Sequence, residues 1–126
     1  MGETIKGCGV DIIEIERIAK ALARPQFQQR IYTTREQEIL RSRHVQSWAA
    51  RFAAKEAVMK AIGCGWQYGV RFTDIEILPE PSGKPAVILS GQAQIIAAQM
   101  HISKVLVSMS HNRSVAIAYA VCVGED

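Results

Sequence analysis

The chain has 126 residues, 48% hydrophobic and 21% charged, enough to bury a core without disulfide or metal staples. That composition fits a soluble globular protein, expected as one domain over residues 1–126, and no apolar run approaches the ~20 residues of a membrane span. The net charge is a mild +3 but uneven: residues 17–43 carry Arg17, Lys20, Arg24, Arg30, Arg35, Arg41 and Arg43 against Glu36 and Glu38, giving +5 there and −2 elsewhere. Such a segment is either a solvated helical face or a docking surface for an acidic partner. Phe27 and Tyr32 are its only aromatics and no nucleic-acid module is recognisable, so an acidic protein is expected rather than a nucleic acid. With Glu3 and Lys6 among the first residues, no signal-peptide apolar core is expected there. Cys8, Cys64 and Cys122 are odd in number, far apart and without a CxxC pair. Reduced thiols and a cytoplasmic protein are expected, with no membrane partner.

Ile5 to Ile13 reads as a buried strand. Gly7 and Gly9 leave one side bare, which admits another backbone or a ligand. Asp11 lies among Val10, Ile12 and Ile13, where a charge must be paired, metal-bound or at the strand's exit. Its commonest structural use is as the N-cap of a following helix. That helix is short: Ile15, Ile18, Ala19 and Leu22 mark its apolar face, with Arg17, Lys20 and Arg24 off it, and Pro25 stops or kinks it. Thr33 with Glu36, or Thr34 with Gln37, offers a capping box for a helix through Ile39 and Leu40. His44 falls in the joint before the next element.

The segment from Val45 to Ile62 is the central helix. At about 100° per residue Val45, Trp48, Phe52, Met59 and Ile62 share one apolar stripe, alanines fill much of the remainder, and Gly63 suits a left-handed end. Glu56 and Lys60, four apart, sit at the edge of that stripe. They form either an ordinary surface ion pair or a carboxylate and an ammonium reaching into a cleft.

Beyond Gly63-Cys64-Gly65 the pattern turns to β. Phe72 to Leu78 is a strand, Pro79 to Pro85 a turn, and Ala86 to Leu89 a second strand, which together make a hairpin with a long tip. Ser90 caps a helix containing Ile95, Ile96 and Met100. Lys104 to Ser110 alternates, with Val105, Val107 and Met109 on one side and Leu106, Ser108 and Ser110 on the other. His111-Asn112-Arg113 turns the chain into a last strand, Ser114 to Val123. The fold expected is α+β, a mostly antiparallel sheet packed against a long central helix and shorter helices.

Asp11 and Glu56 are two carboxylates far apart in sequence, each embedded in apolar surroundings. One or two carboxylates, with phosphate oxygens and water completing an octahedron, are what Mg²⁺ prefers. Lys60 would offer a point charge to a phosphate, Ser82-Gly83-Lys84-Pro85 backbone N–H groups and a second ammonium, and Ser110-His111 an imidazole at a hairpin mouth. Each residue also has an ordinary structural use. Their sum points to a Mg²⁺–diphosphate site.

Gly7-Cys-Gly-Val-Asp11-Ile-Ile-Glu-Ile-Glu-Arg17-Ile resembles the amino-terminal motif of the holo-[acyl-carrier-protein] synthases, the small phosphopantetheinyl transferases. Arg51-Phe-Ala-Ala-Lys-Glu56-Ala-Val-Met-Lys60-Ala resembles their second signature. Phe72-Thr-Asp-Ile-Glu-Ile, Ser82-Gly-Lys-Pro85 and Ser108-Met-Ser-His111 follow in the family's order, so the resemblance covers essentially the whole chain. Cys64 stands where a threonine is common, and Asn112 where an acid is frequent.

The resemblance implies transfer of 4′-phosphopantetheine from coenzyme A to a serine of an apo acyl carrier protein, with release of 3′,5′-ADP. It implies that Asp11 and Glu56 hold Mg²⁺ on the coenzyme A diphosphate and that Lys60 contacts the phosphates. Glu56, or a metal-bound water it orients, is then the candidate base for the serine proton. Arg51, Gly83, Lys84, Pro85, Ser110 and His111 become candidates for binding coenzyme A at the adenosine 3′-phosphate. Arg17 and Arg24 would face the acidic carrier, and family members are typically homotrimers with sites between subunits. Two rival classes share these residues: a Mg²⁺-dependent hydrolase of nucleotide diphosphates, and a non-catalytic module that binds coenzyme A.

Overall fold

The computed structural model describes residues 2–125. In chain order the elements are β1 (Thr4–Glu14), α1 (Ile15–Leu22), α2 (Pro25–Ile31), α3 (Thr34–Leu40) and α4 (Val45–Ile62), followed by β2 (Ile75–Pro79), β3 (Pro85–Leu89), α5 (Gly91–Gln99), β4 (Ile102–His111) and β5 (Val115–Gly124). The strands make two antiparallel sheets, a three-stranded one in the order β1-β5-β4 and a hairpin of β2 and β3. In the larger sheet Asp11 lies opposite Ala118, which in turn lies opposite Met109.

Why α4 occupies the centre follows from its alanines. Ala49, Ala50, Ala53, Ala54, Ala57 and Ala61 are buried together with Trp48, Val58, Met59 and Ile62, whereas Val45 and Phe52 are only half-buried. The expected single stripe is therefore replaced by burial all round. Small side chains let other backbones approach the helix from several sides, and the closest is β1. A Cβ on Gly9 would lie 2.8 Å from Ala61 N and inside the van der Waals shell of Ala57 O; one on Gly7 would overlap Ala61 O. The bare side of the glycine strand admits the helix backbone. Gly63 ends α4 in the left-handed conformation at φ 78°, with its N–H on Met59 O at 2.9 Å.

Several local expectations change. Strand β1 runs three residues beyond Asp11, and Glu14 occupies the N-cap position of α1, so Asp11 caps nothing. Ala21, not Ala19, joins Ile15 and Ile18 in the buried face of α1, and Ala19 is exposed. Pro25 both stops α1 and opens α2, a helix the sequence reading left out, because the first helical turn needs no N–H from it. Phe72–Asp74 is a turn of 3-10 helix rather than the start of β2. The Ser90 side chain makes no cap bond to α5. The Asp74 carboxylate lies there instead, so close that a Cβ on Gly91 would fall 2.7 Å from its Oδ1. The capping box resolves to Thr33 with Glu36: Thr33 N donates to Glu36 Oε1 at 2.9 Å and Glu36 N to Thr33 Oγ1 at 3.2 Å.

The larger sheet has two unlike faces. Gly9, Ile13, Ala116, Ala118, Ala120 and Cys122 lie buried against the helix layer. The opposite face exposes Val10, Ile12, Leu106, Ile117 and Tyr119. No helix of the described residues is long and apolar enough to cross a membrane.

Candidate active site

Asp11 reaches the site from the middle of β1 and Glu56 and Lys60 reach it from α4. The glycine contacts bring the two elements together. Lys60 Nζ lies 3.1 Å from Asp11 Oδ1 and donates to Val10 O at 3.0 Å. The ammonium therefore crosses to the strand, and of the two readings left open for Lys60 and Glu56 the surface ion pair between them gives way to one with Asp11. Glu56 is half-buried, and burial raises its carboxyl above the usual range. The negative charge of Asp11 pushes the same way and Lys60 opposes it. The two carboxylates thus act on each other as like charges, with one ammonium beside Asp11. Among the described residues no third His, Cys, Asp or Glu joins them as a metal-ligand group.

The remaining candidates lie elsewhere on the chain. Arg51 is buried one turn before Lys55, and its Nε donates to Ile77 O at 3.3 Å. Burial is the main cause lowering its guanidinium's proton affinity, and Arg43 adds to it. Lys55 bonds Ile75 O while Arg51 bonds Ile77 O, so β2 runs against the direction of α4. The hairpin tip with Gly83, Lys84 and Pro85 is therefore carried toward the N-terminal end of that helix. About 14 Å of helix separates Arg51 from Lys60. Gly83 sits at φ 92° and Lys84 N donates to Ser82 Oγ at 3.3 Å, with both residues exposed. Ser110 lies in the row of Ile12 and Ile117, on the open face of the sheet and opposite to Asp11. His111 is exposed at the end of β4. A single copy of the chain unites Asp11, Glu56 and Lys60, while Arg51, the hairpin tip and Ser110 lie away from them.

Two features were missed in the sequence. One is a cleft of about 670 Å³ lined by Phe27, Phe52, Phe72, Val70, Arg30 and Arg71, among others. Its three rings form a stack, with centroids 6.0 Å apart for Phe27 and Phe52 and 5.4 Å for Phe52 and Phe72. The other is the fully buried ion pair of Lys55 and Glu36, at 2.7 Å. A lysine inside an alanine-rich helix was the available signal. Pairing removes Glu36 from the surface charge of residues 17–43, while all seven bases there are exposed.

A strand carrying one carboxylate and a helix carrying the second and a lysine thus converge where β1 crosses α4. The model of the 4′-phosphopantetheinyl transferase superfamily matches residues 7–120, and the chain belongs to that superfamily. It is 43% identical to the holo-[acyl-carrier-protein] synthase of Alkaliphilus oremlandii, covering 94% of this chain and 99% of that one. A holo-(acyl-carrier-protein) synthase from Bacillus anthracis, solved in complex with CoA (3′,5′-ADP), superposes with a TM-score of 0.79 at 38% identity, covering 96% and 98%. The Helicobacter pylori holo-[acyl-carrier-protein] synthase in complex with coenzyme A gives 0.81 at 32% identity, covering 91% and 98%. Within the superfamily the chain is an enzyme of this holo-[acyl-carrier-protein] synthase group.

Proposed function

We propose that the chain transfers 4′-phosphopantetheine from coenzyme A to a serine hydroxyl of an apo acyl carrier protein. The observation that carries this reading is the convergence of Asp11, Glu56 and Lys60 where β1 crosses α4. In the reaction the serine Oγ bonds to the pantetheine-side phosphorus of the diphosphate. The bond from that phosphorus to the bridging oxygen breaks, and its electrons leave with 3′,5′-ADP. Glu56, whose proton affinity is raised by burial and by Asp11, takes the serine proton in this reading. Lys60, at 54% side-chain exposure, balances negative charge gathering on the leaving phosphate.

The donor set fits Mg²⁺. Asp11 and Glu56 supply two hard carboxylates that repel each other, and the small number of protein ligands suits a metal completed by phosphate oxygens and water. When bound, Mg²⁺ would neutralise diphosphate charge. Arg51, Gly83, Lys84, Pro85, Ser110 and His111 are read as the coenzyme A pocket around the adenosine 3′-phosphate. Ser110 lies on the sheet face away from Asp11, which favours a pocket shared between copies of the chain. The open face of Val10, Ile12, Leu106, Ile117 and Tyr119 is the surface on which copies would meet, as a homotrimer. Three free cysteines accord with a cytoplasmic setting.

For the carrier we assign the exposed bases of residues 17–43, Arg17 and Arg24 first, together with the aromatic cleft. Arg30 and Arg71 line that cleft beside the three phenylalanines. An acidic protein presenting apolar side chains matches both features by charge and by contact.

The test is the intact mass of an apo carrier protein after incubation with this enzyme, Mg²⁺ and coenzyme A. A gain of one phosphopantetheine, with 3′,5′-ADP released only when carrier is present, is the expected result. Equal release without carrier would identify a hydrolase instead.

A further inference from the structure

Strand β2 pairs with β3 along one edge only. On its other edge the backbone groups are met by buried side chains in place of a strand. Lys55 Nζ donates to Ile75 O at 2.6 Å and to Phe72 O at 3.1 Å. Arg51 Nε donates to Ile77 O, and Glu36 Oε2 accepts from Ile77 N at 2.8 Å. Lys55 Nζ and Glu36 Oε1 then close on each other at 2.7 Å, with neither side chain reaching solvent. All three ammonium hydrogens are used. A buried ion pair is often matched in stability by apolar residues of similar volume. What this pair supplies in addition is direction, because its bonds fix the backbone at the first residue of the 3-10 turn Phe72–Asp74 and just beyond its end.

That turn holds Phe72 in the stack. Its ring lies 5.4 Å from Phe52, which sits on α4 three residues before Lys55. Phe52 is therefore part of α4, and the ring stacked on it is tied to α4 by a side chain of that same helix. We propose that Lys55 and Glu36 are positioning residues for the carrier protein, holding Phe72 against Phe52 so that the three-ring lining of the aromatic cleft stays in place for the carrier's apolar side chains. This rests on the assignment of the cleft to the carrier. Lys55 gives its three hydrogens to Glu36, Phe72 and Ile75, whereas Lys60 crosses to Asp11 on β1.

The experiment is steady-state transfer with carrier and coenzyme A varied separately, on Glu36→Gln/Lys55→Met, which removes both charges together. The expected result is a carrier KM raised about tenfold with kcat and the coenzyme A KM within about twofold of wild type. If circular dichroism shows that the double variant lacks the native fold, Glu36→Gln alone is read in the same way. A native variant with the wild-type carrier KM overturns the proposal. So does a fall in kcat or a rise in the coenzyme A KM alongside, which marks a general scaffold. Phe72→Ala is measured in parallel. A carrier KM unchanged by that substitution overturns the assignment of the cleft, and the positioning role with it. A raised one beside an unaffected double variant overturns the positioning role alone.

Discussion

The ammonium of Lys60 stands 3.1 Å from Asp11 Oδ1, although 49 positions separate the two residues. The helical neighbour Glu56 is thereby left to face Asp11 as a like charge. At 54% side-chain exposure the Lys60 pair is worth little to stability, on the order of 0–1 kcal/mol. Lys60→Ala should therefore melt close to wild type. If the ammonium acts on the leaving phosphate, kcat and kcat/KM should both fall by about 10²–10³. Lys60→Arg should restore only part, because a planar fork replaces a compact point charge. Steady-state transfer by both variants decides it, and a Lys60→Ala enzyme within about threefold of wild type would return the residue to the helix surface.

Removing either carboxylate should abolish transfer and keep the fold. Asp11→Ala and Glu56→Ala each relieve a like-charge contact. In wild type, Mg²⁺ together with coenzyme A should raise the melting temperature by binding the native state alone. In either variant that rise should be lost. Full transfer by either one at saturating Mg²⁺ would dismiss the assigned ligands.

The raised carboxyl of Glu56 also sets a pH dependence in metal-free buffer. The native state holds that proton above the usual 4.5 while the unfolded chain releases it. As pH climbs from 4.5 through the native value, the unfolded state sheds protons first and stability falls. Glu56→Gln carries no such penalty. It should melt above wild type at pH 7, and the difference should fade as pH falls toward 4.5. Calorimetry across pH measures this, and parallel curves would contradict it.

Neutralising Arg17 and Arg24 together should weaken carrier affinity and flatten its salt dependence. Both are exposed, and their field is screened over about 10 Å at 0.1 M salt. Coenzyme A affinity should stay near wild type. A drop in coenzyme A affinity with the carrier unaffected would mean that the surface serves the other substrate.

Gly9→Ala tests the crossing that assembles the site. The added methyl would meet Ala57 O and Ala61 N, both helix backbone that cannot rotate away. Overpacking of this kind costs roughly 1–3 kcal/mol. Asp11, two residues on, would be moved away from Glu56. A lowered melting temperature with weakened Mg²⁺-dependent stabilisation is expected, whereas wild-type melting would show that strand and helix part easily.

Strand β4 was legible from its period-two alternation and β1 and β5 as apolar runs, although β1, read as buried, exposes Ile5, Val10 and Ile12; Thr33-x-x-Glu36 announced its capping box. Asp11, Glu56 and Lys60 were legible as motif residues, but their pairing was not. Lys55 and Lys60 look alike in the sequence, each beside or near Glu56. Only the packing of β2 on one side and β1 on the other buries the first and leaves the second open. The all-round burial of α4 was hidden for a related reason: alanine marks close approach without a strong hydrophobic signal. The aromatic cleft draws Phe27, Phe52 and Phe72 from three separate elements, so no local pattern could announce it.

An unpaired strand edge is a template to which another chain can add. On the outward edge of β2, Ile75 O and both backbone groups of Ile77 already have partners in Lys55, Glu36 and Arg51. An intruding strand would have to displace three buried charged side chains before making its first ladder bond. The hairpin is thus guarded on that side against edge-to-edge aggregation, and the guard lies in the core, beyond the reach of salt or surface substitution.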